Sequence, residues 1–376
     1  MLILLTSPAA LFRNGRLAED IVEAFKTIGA QGHPAVVVSN QGKPHWFDRV
    51  FSGSNVTFFP TKARQNGSAL RAISKSLAIN PYDLLVLAAK DEDIQMAKNG
   101  GAVLIAAGWS SADPRVQGLG IKIESPQQLK ELIDMSNSWT GHWWYEGLHS
   151  NYSIKVLGNL SGIGVDTTQQ ALAAKLTETV KRGGNRLNTL LIATARSLLI
   201  DGAHQTENMF WSFYPSSNSK NNDEEVLGEF THRLRTTVSK VQLARRNQPL
   251  FIRHEPSTKR SASRNIDRTD PAEQIKTLHL NPVYKTSIKK RNVFVLDDCT
   301  THGVSFAVAA AFLRKAGAAS VTNIALGKFG NVLQYIEVEL QGDPFAPIDG
   351  FTLASRCHFQ GQTNSAVQQN LLTLIE

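Results

Sequence analysis

Two adjacent acidic residues, Asp297 and Asp298, follow an apolar segment, Val293–Leu296, and precede a short run of small polar residues. The apolar segment has the composition of a buried strand, and Ser305–Lys315 has that of a helix. Ligands of open α/β sheets bind at the carboxyl ends of the strands. We therefore expect the connection between this strand and this helix to bind a ligand.

The connection carries groups that suit a phosphate and a sugar. A helix that begins after such a connection offers unpaired backbone N–H groups and its positive end to an anion. Thr300, Thr301 and Ser305 add hydroxyl donors, and Gly303 allows a close approach of the backbone. The two acids do not bind phosphate, but their carboxylates accept hydrogen bonds from ribose hydroxyls or bind a hydrated Mg²⁺ ion. The residue types therefore predict a ribose-phosphate ligand.

The whole segment, VFVLDDCTTHGVS over residues 293–305, resembles the motif that binds phosphoribosyl pyrophosphate (PRPP) in type I phosphoribosyltransferases. The resemblance implies that Asp297 and Asp298 hold the ribose hydroxyls and Mg²⁺ and act in catalysis. It also implies a 5′-phosphate site formed by Thr300, Thr301, His302, Gly303, Val304 and Ser305. His302 departs from the family, which has a small residue at this position.

Two further segments agree with this family. Residues 213–220, FYPSSNSK, match its pyrophosphate loop, although Pro-Ser-Ser-Asn is also the composition of an ordinary turn. The predicted ligands in this loop are Ser216, Ser217, Asn218 and Ser219. The segment Glu255–Gln274 lies where the family has a flexible basic loop. Its cations are Lys259, Arg260, Arg264 and Arg268, of which the first two are predicted to be catalytic.

The resemblance implies Mg²⁺-dependent transfer of a phosphoribosyl group from PRPP to an acceptor that resembles a nitrogenous base. For the acceptor site, two alternatives stay open, Tyr145–Asp166 and Asn331–Glu376. Two other functions would use the same site, namely a non-catalytic sensor of PRPP or a nucleotide, and cleavage of a glycosidic bond in a nucleotide. The basic loop favours the transferase over the sensor.

Basic residues are concentrated in one part of the chain. Between Arg233 and Arg291 there are 15 Lys or Arg against 4 Asp or Glu, whereas the net charge of the whole chain is +8. Such a segment indicates a polyanionic ligand or a solvated surface. Beside a predicted phosphate site, it favours PRPP or another ribose phosphate. A nucleic-acid or protein partner for residues 233–291, and a homo-oligomeric state, stay open.

The chain length of 376 residues and the 42% hydrophobic content are typical of two globular domains. No apolar run approaches the roughly 20 residues of a membrane span, so we expect no membrane partner. The two cysteines, Cys299 and Cys357, indicate neither a disulfide framework nor a cysteine zinc site. A cytoplasmic location is expected.

Apolar strands such as Ala35–Ser39 and Leu84–Ala88 alternate with amphipathic helices in the first part of the chain, and a second α/β pattern follows. Such alternation predicts parallel sheets covered by helices. The aromatic stretch Trp139–Tyr145 interrupts the pattern and is interpreted as a domain boundary. We therefore predict an α/β fold with two doubly wound domains and mainly parallel sheets, over residues 1–140 and 141–376.

The layout of residues 1–140 resembles that of the haloacid dehalogenase-like phosphatases. Where that family has its two catalytic aspartates, this chain has Thr6 and Pro8. Ala89 replaces a further family aspartate, while Asp93 is retained. Lys62 matches either the family's phosphate-binding lysine or an ordinary surface lysine. Phosphoryl transfer in that family needs a carboxylate nucleophile and carboxylates around Mg²⁺, so we expect a non-catalytic domain.

Overall fold

A computed structural model of the chain describes residues 1–110, 113–139, 141–162, 166–183, 186–238, 247–258, 267–330 and 332–375. The chain forms two compact units. The first unit comprises Met1–Gly141, Asn188–Gln205 and His232–Lys240, and the second comprises His142–Leu187, Thr206–Thr231 and Val241–Glu376. The first unit is therefore built from three separate parts of the chain.

The first unit contains a parallel sheet of buried strands. The strands of this unit are β1 (Ile3–Thr6), β2 (Phe12–Arg13), β3 (Arg16–Leu17), β4 (Ala35–Ser39), β5 (Val56–Pro60), β6 (Leu84–Ala88), β7 (Val103–Ala107) and β8 (Ile121–Ile123). Six of them form the sheet, in the order β5-β4-β1-β6-β7-β8. Every residue of β4, β6 and β7 is buried, as expected for strands with helices on both faces.

The helices of the first part of the chain are α1 (Glu19–Ala30), α2 (Phe47–Phe51), α3 (Ser68–Leu77), α4 (Asp91–Gly100), α5 (Pro114–Gly118) and α6 (Pro126–Ser138). The next helix, α7 (Thr167–Arg182), belongs to the second unit. Almost all of α8 (Leu187–Ile200) belongs to the first unit, and α9 (Val226–Val238) begins in the second unit and ends in the first.

The second unit contains a sheet that is parallel at its centre. Its strands are β9 (Tyr145–Leu148), β10 (Ser153–Asn159), β11 (Met209–Phe213), β12 (Phe251–Arg253), β13 (Leu278–Leu280), β14 (Asn292–Thr300), β15 (Ser320–Lys328), β16 (Gln334–Gln341), β17 (Gly350–His358) and β18 (Gly361–Thr363). The sheet has the order β11-β14-β15-β10-β9-β18, in which the first four strands are parallel. The pairs β12–β13 and β16–β17 are antiparallel hairpins.

Helices cover this sheet on both faces. The remaining helices are α10 (Ala272–Lys276), α11 (Val304–Lys315) and α12 (Ser365–Ile375). The connection from β10 through α7 to β11 crosses the parallel strands in one direction, and β14–α11–β15 crosses them in the other. Because such connections are right-handed, α7 and α11 lie on opposite faces. Both helices contact β14 and β15.

The α/β class with mainly parallel sheets is therefore confirmed. The predicted strands Ala35–Ser39 and Leu84–Ala88 have those bounds in the structure. One alternative for the acceptor site, Tyr145–Asp166, contains β9 and β10 of the sheet. Within the described ranges, no helix has the length and apolar composition needed to cross a membrane.

Candidate functional site

The acid pair lies within the central strand β14, not after it. The strand continues to Thr300, which pairs with Lys328 of β15, so the predicted strand Val293–Leu296 is longer than expected. Helix α11 begins at Val304, one residue before the predicted start. The connection between strand and helix is therefore only Thr301–Gly303, shorter than the sequence pattern indicates.

Asp297 is held by hydrogen bonds at the carboxyl end of the sheet. Its Oδ1 accepts a 2.8 Å bond from the backbone N–H of Asp298, and its Oδ2 accepts a 2.7 Å bond from the hydroxyl of Ser305. Oδ1 of Asp298 accepts a 2.6 Å bond from the backbone N–H of Cys299. The hydroxyl of Ser305, which was predicted to bind phosphate, thus donates its hydrogen bond to Asp297 of the acid pair.

The two carboxyl groups differ in their surroundings. Burial, followed by the neighbouring charge of Asp298, raises the pKa of Asp297 well above its ordinary value. The hydrogen bond from Ser305 acts in the opposite direction but does not cancel these effects. Two neighbouring carboxyl groups are costly to ionise at the same time, because their negative charges repel each other. A bound cation, or a hydrogen bond donated by a ligand hydroxyl, lowers that cost.

Several buried polar atoms near the start of α11 have no hydrogen-bond partner among the described residues. They are Oγ1 of Thr300, Nδ1 of His302 and Oε1 of Gln334. Gln334 is adjacent to this connection, because its backbone N–H donates a 3.1 Å bond to the carbonyl of His302. Unpaired buried polar atoms are rare in proteins and call for a ligand or an ordered water. Their grouping at this connection is an observation in favour of a ligand.

Two cations, Lys328 and Arg268, act on His302 in the connection between β14 and α11. The pKa of His302 is lowered by burial and then by the positive charges of Lys328 and Arg268, against which Asp267 acts weakly in the raising direction. Lys328 is only 2% exposed, and its ammonium group donates to the backbone carbonyls of Phe329 and Gly330. Lys328 belongs to the site and was missed by the sequence pattern, since a single lysine after an apolar strand carries no signal.

Gly303 is required by the local backbone and its packing. Its φ of +84° lies in the left-handed region, which favours glycine. A Cβ atom at this position would lie 3.0 Å from the backbone oxygen of Gln334 and 3.2 Å from Cδ1 of Leu333. The packing of residues 333–334 therefore already explains the glycine, without a phosphate.

The predicted pyrophosphate loop follows β11, the neighbour of β14. Phe213 of β11 pairs with Leu296 of β14, so Ser216, Ser217, Asn218 and Ser219 emerge at the same edge as the acid pair. The loop is held by Arg253, a residue that the sequence pattern did not indicate. This side chain is 4% exposed, and its guanidinium donates to the carbonyls of Pro215 and Ser216 at 3.3 and 2.6 Å.

The basic residues of segment 233–291 do not share one role. Lys259, Arg260 and Arg264 lie outside the described residues. Arg253 and Arg235 are buried, and Arg233 donates to backbone carbonyls of Gln117 and Gly120. Some of the positive charge therefore has partners within each unit. Of the predicted loop cations, Arg268 is described and acts on His302.

The predicted Mg²⁺ site has only part of a coordination shell. Within the described ranges, no group of three or more His, Cys, Asp or Glu residues is placed to hold a metal ion. Asp297 and Asp298 supply the oxygen donors that Mg²⁺ prefers, and this ion usually keeps several waters and takes further oxygens from substrate phosphates. The acid pair therefore fits Mg²⁺ when a phosphorylated ligand completes the shell.

The first unit has its own polar cluster around Asp93, which is fully buried. Its Oδ1 accepts a 2.8 Å bond from Nε of Arg64. Its Oδ2 accepts a 2.8 Å bond from the hydroxyl of Ser7 and 3.0 Å bonds from the backbone N–H groups of Ala89 and Lys90. Protein donors thus occupy most of the accepting capacity of this carboxylate.

Thr6 and Lys62, two further residues that the resemblance singled out, lie in the same unit. The Thr6 hydroxyl donates a 2.7 Å bond to the carbonyl of Leu87. Thr6 is buried, and it stands where the resemblance places the nucleophile of the phosphatases. Arg64 is 7% exposed and provides the positive charge beside Asp93, whereas Lys62 is exposed. The surface interpretation of Lys62 therefore fits the structure.

Comparisons with known proteins add little. No family model and no curated protein matches the chain. One solved structure that it resembles is the cobalt-bound deoxy-D-mannose-octulosonate 8-phosphate phosphatase YrbI of Haemophilus influenzae. The identity is 12%, the match covers 35% of this chain and 86% of that one, and the TM-score is 0.29. A likeness this low assigns neither an activity nor a cofactor.

The buried Lys328 gives a testable pH dependence. Burial lowers its pKa from 10.5 to about 8, so the folded protein binds fewer protons than the unfolded chain between these two values. Stability from this group therefore rises with pH across that window and is lowest below it. In Lys328→Met, this rise should be absent from urea unfolding curves recorded between pH 7 and 10. Lys315→Met, at an exposed position on α11, is the matched control. An unchanged rise in Lys328→Met would contradict the assignment.

Proposed function

We propose that the second unit binds PRPP at the carboxyl edge of its sheet and transfers the phosphoribosyl group to a nitrogenous acceptor with Mg²⁺. One observation carries the proposal. The unpartnered buried atoms of Thr300 and His302 lie beside the start of α11, within the positive field of Lys328 and Arg268. Polar atoms, cations and a helix start together form a site for a phosphate group.

Different residues at this edge bind different parts of PRPP. The hydroxyls of Thr300 and Thr301 and the first N–H groups of α11 bind the 5′-phosphate. Asp297 and Asp298 accept hydrogen bonds from the ribose hydroxyls, and their negative charge stabilises the positive charge that develops at C1. The loop Ser216–Ser219, which Arg253 holds in place, binds the pyrophosphate.

Transfer then needs little covalent help from the protein. The lone pair of an acceptor nitrogen forms a bond to C1 while the C1–O bond to pyrophosphate breaks, and pyrophosphate leaves with that electron pair. The acceptor releases its N–H proton to solvent. Mg²⁺, when bound, supplies charge neutralisation for the pyrophosphate. The protein contributes the positions of the reacting groups and the electrostatic field around them.

A second candidate is a non-catalytic sensor of PRPP or a nucleotide. It is favoured by the hydrogen bond from Ser305 to Asp297, which directs a predicted phosphate donor toward the acids. Such a sensor would bind ribose 5-phosphate and PRPP but release no pyrophosphate. For the first unit, we propose a scaffold or partner-binding role, because Arg64 neutralises Asp93 in its interior.

Binding of ribose 5-phosphate tests the site itself. Thr300→Val removes the buried hydroxyl with little change of shape, so calorimetry should show an affinity about tenfold lower than that of the wild type. Ser320→Ala removes a hydroxyl at the opposite end of β15 and is the matched control, expected to bind as the wild type does. A wild-type protein that binds neither ribose 5-phosphate nor PRPP with Mg²⁺ would contradict the proposed function.

A further inference from the structure

An apolar cavity of about 450 Å³ lies on the α7 face of the second sheet. Its lining includes Leu160, Ala173, Ala174 and Phe329, with the polar pair Glu178 and Arg182 also present. The volume falls within the roughly 300–1,000 Å³ of small-molecule sites, which are mostly apolar with a few polar groups. Neither the predicted phosphate site nor the predicted pyrophosphate loop includes any of these residues.

The cavity is connected to the acid-bearing strand by backbone hydrogen bonds. Phe329, which directly follows β15, donates its N–H to the carbonyl of Thr300 at 2.8 Å. Leu160, which directly follows β10, donates its N–H to the carbonyl of Lys328 at 2.8 Å. The cavity therefore opens at the ends of β15, the neighbour of the acid-bearing strand, and of β10, the next strand along. Adjacent strands are about 4.8 Å apart.

The side chain of Leu160 brings the cavity close against the sheet. A Cβ atom on Gly327 would lie 2.2 Å from Cδ1 of Leu160, so only glycine admits this leucine. Gly327 in turn pairs with Cys299, which directly follows Asp298. Leu160 and Phe329 thus place one end of the cavity at the carboxyl edge of the sheet, the edge that also carries the acid pair.

Two other cavities lie elsewhere in the second unit. One, of about 330 Å³, runs along α11 to Arg314 and Lys315, near the end of the helix opposite to Gly303. The other, of about 570 Å³, surrounds the edge strands β9 and β18. Neither is lined by a residue at the carboxyl end of β14 or β15, so neither is placed to receive an acceptor.

We propose that the Leu160–Phe329 cavity binds the planar heteroaromatic base of the acceptor, an inference that rests on the proposed function. The ring of Phe329 offers a stacking surface, and the small side chains of Ala173 and Ala174 leave room for a flat molecule. The ion pair of Glu178 and Arg182, with 3.7 Å between Oε1 and Nη1, offers a donor and an acceptor to the polar edge of a base. Leu160 belongs to one of the acceptor segments that the sequence left open, Tyr145–Asp166, whereas Phe329 lies outside both.

Saturation-transfer NMR on the full chain tests the cavity, with adenine, hypoxanthine, uracil and cytosine as probes, each with and without ribose 5-phosphate. We expect at least one base to bind the wild type. Ala174→Trp, which fills the cavity from an exposed position on α7, should weaken that binding at least about tenfold. Phe329→Ala should weaken it to a similar extent. Ala171→Trp, exposed on the same helix but outside the lining, is the matched control.

The outcomes separate the two proposals. If ribose 5-phosphate binds and no base does, the cavity is not an acceptor site, while the phosphate site stands. If a base binds equally well to Ala174→Trp and to the wild type, the cavity assignment is wrong. If a base binds in the cavity but neither ribose 5-phosphate nor PRPP binds, the proposed transferase fails and the base site stands. Urea unfolding shows whether each variant is folded.

Discussion

Replacing both Asp297 and Asp298 with asparagine is expected to lower pyrophosphate release from PRPP at least about 10³-fold, while the folded protein becomes no less stable. The rate falls because asparagine carries no negative charge to stabilise the positive charge that develops at C1. The shapes and the hydrogen bonds stay similar, since an amide oxygen accepts the N–H of Asp298 and the Ser305 hydroxyl can turn to accept from the amide nitrogen.

Stability follows from the direction of the pKa change. Burial and the charge of Asp298 raise the pKa of Asp297 in the folded protein, so folding favours the protonated form. The stability associated with this group is fully present below the pKa of the unfolded chain and is lost as the pH rises through the folded pKa. Above the pKa of the unfolded chain, and so at neutral pH, burial of Asp297 beside Asp298 therefore lowers the free energy of unfolding, and neutral asparagines remove that cost.

Two measurements check this result, namely pyrophosphate release and urea unfolding at pH 7. Asp349→Asn, an exposed acid of the same unit, is the matched control and should change neither. A double variant that loses both activity and stability would indicate a structural role for the pair. A double variant that keeps its activity would exclude the pair from catalysis.

Asp93→Ala is expected to lower the free energy of unfolding of the first unit by about 3–5 kcal/mol. The change leaves the guanidinium of Arg64 buried without its 2.8 Å carboxylate partner, and it also removes the acceptor of the Ser7 hydroxyl and of two backbone N–H groups. Removing one partner of a buried ion pair costs far more than replacing both, because the remaining charge stays buried without a partner. Arg64 retains only Glu92, 3.7 Å away and half exposed.

Hydrogen exchange of the amides in β1 and β6 measures the first unit separately from the second. Asp91→Ala, in the first turn of the same helix, is the matched control, because its ion pair with Arg115 is exposed and should contribute about 1 kcal/mol or less. A loss in Asp93→Ala no larger than that in Asp91→Ala would show that the buried pair does not stabilise this unit.

Local patterns were sufficient to predict the class of fold and strands such as Ala35–Ser39 and Leu84–Ala88. A strand such as Leu84–Ala88 is apolar throughout because helices cover both of its faces, and that pattern is visible in the sequence. The acid pair was predicted to bind a ligand for a related reason, since acidic residues that follow an apolar segment in the sequence are expected at the edge of a sheet. The end of β14 was predicted four residues too early, because the pairing of Thr300 with Lys328 depends on a distant strand.

Buried cations were beyond the reach of sequence patterns. Arg64, Arg253 and Lys328 look like surface residues in the sequence, but each is buried in the structure. The partners of Arg64 and Arg253 lie far away along the chain. Arg253, for example, binds the carbonyl of Ser216, 37 positions earlier. The charge excess of segment 233–291 was interpreted as favouring a polyanionic ligand, although some of its cations have internal partners.

The discontinuous first unit has a consequence for synthesis of the protein. Trp139 donates its indole N–H to Ser197, Arg196 binds Asp83, and Thr236 accepts the N–H of Gly120, so later segments complete contacts that begin before residue 141. A ribosome adds about 5–20 residues per second. The first 141 residues are therefore made about 5–20 s before the chain reaches Lys240. During that time their contacts with Asn188–Gln205 and His232–Lys240 are incomplete. During translation this unit is finished only after two segments of the other, His142–Leu187 and Thr206–Thr231, have been made.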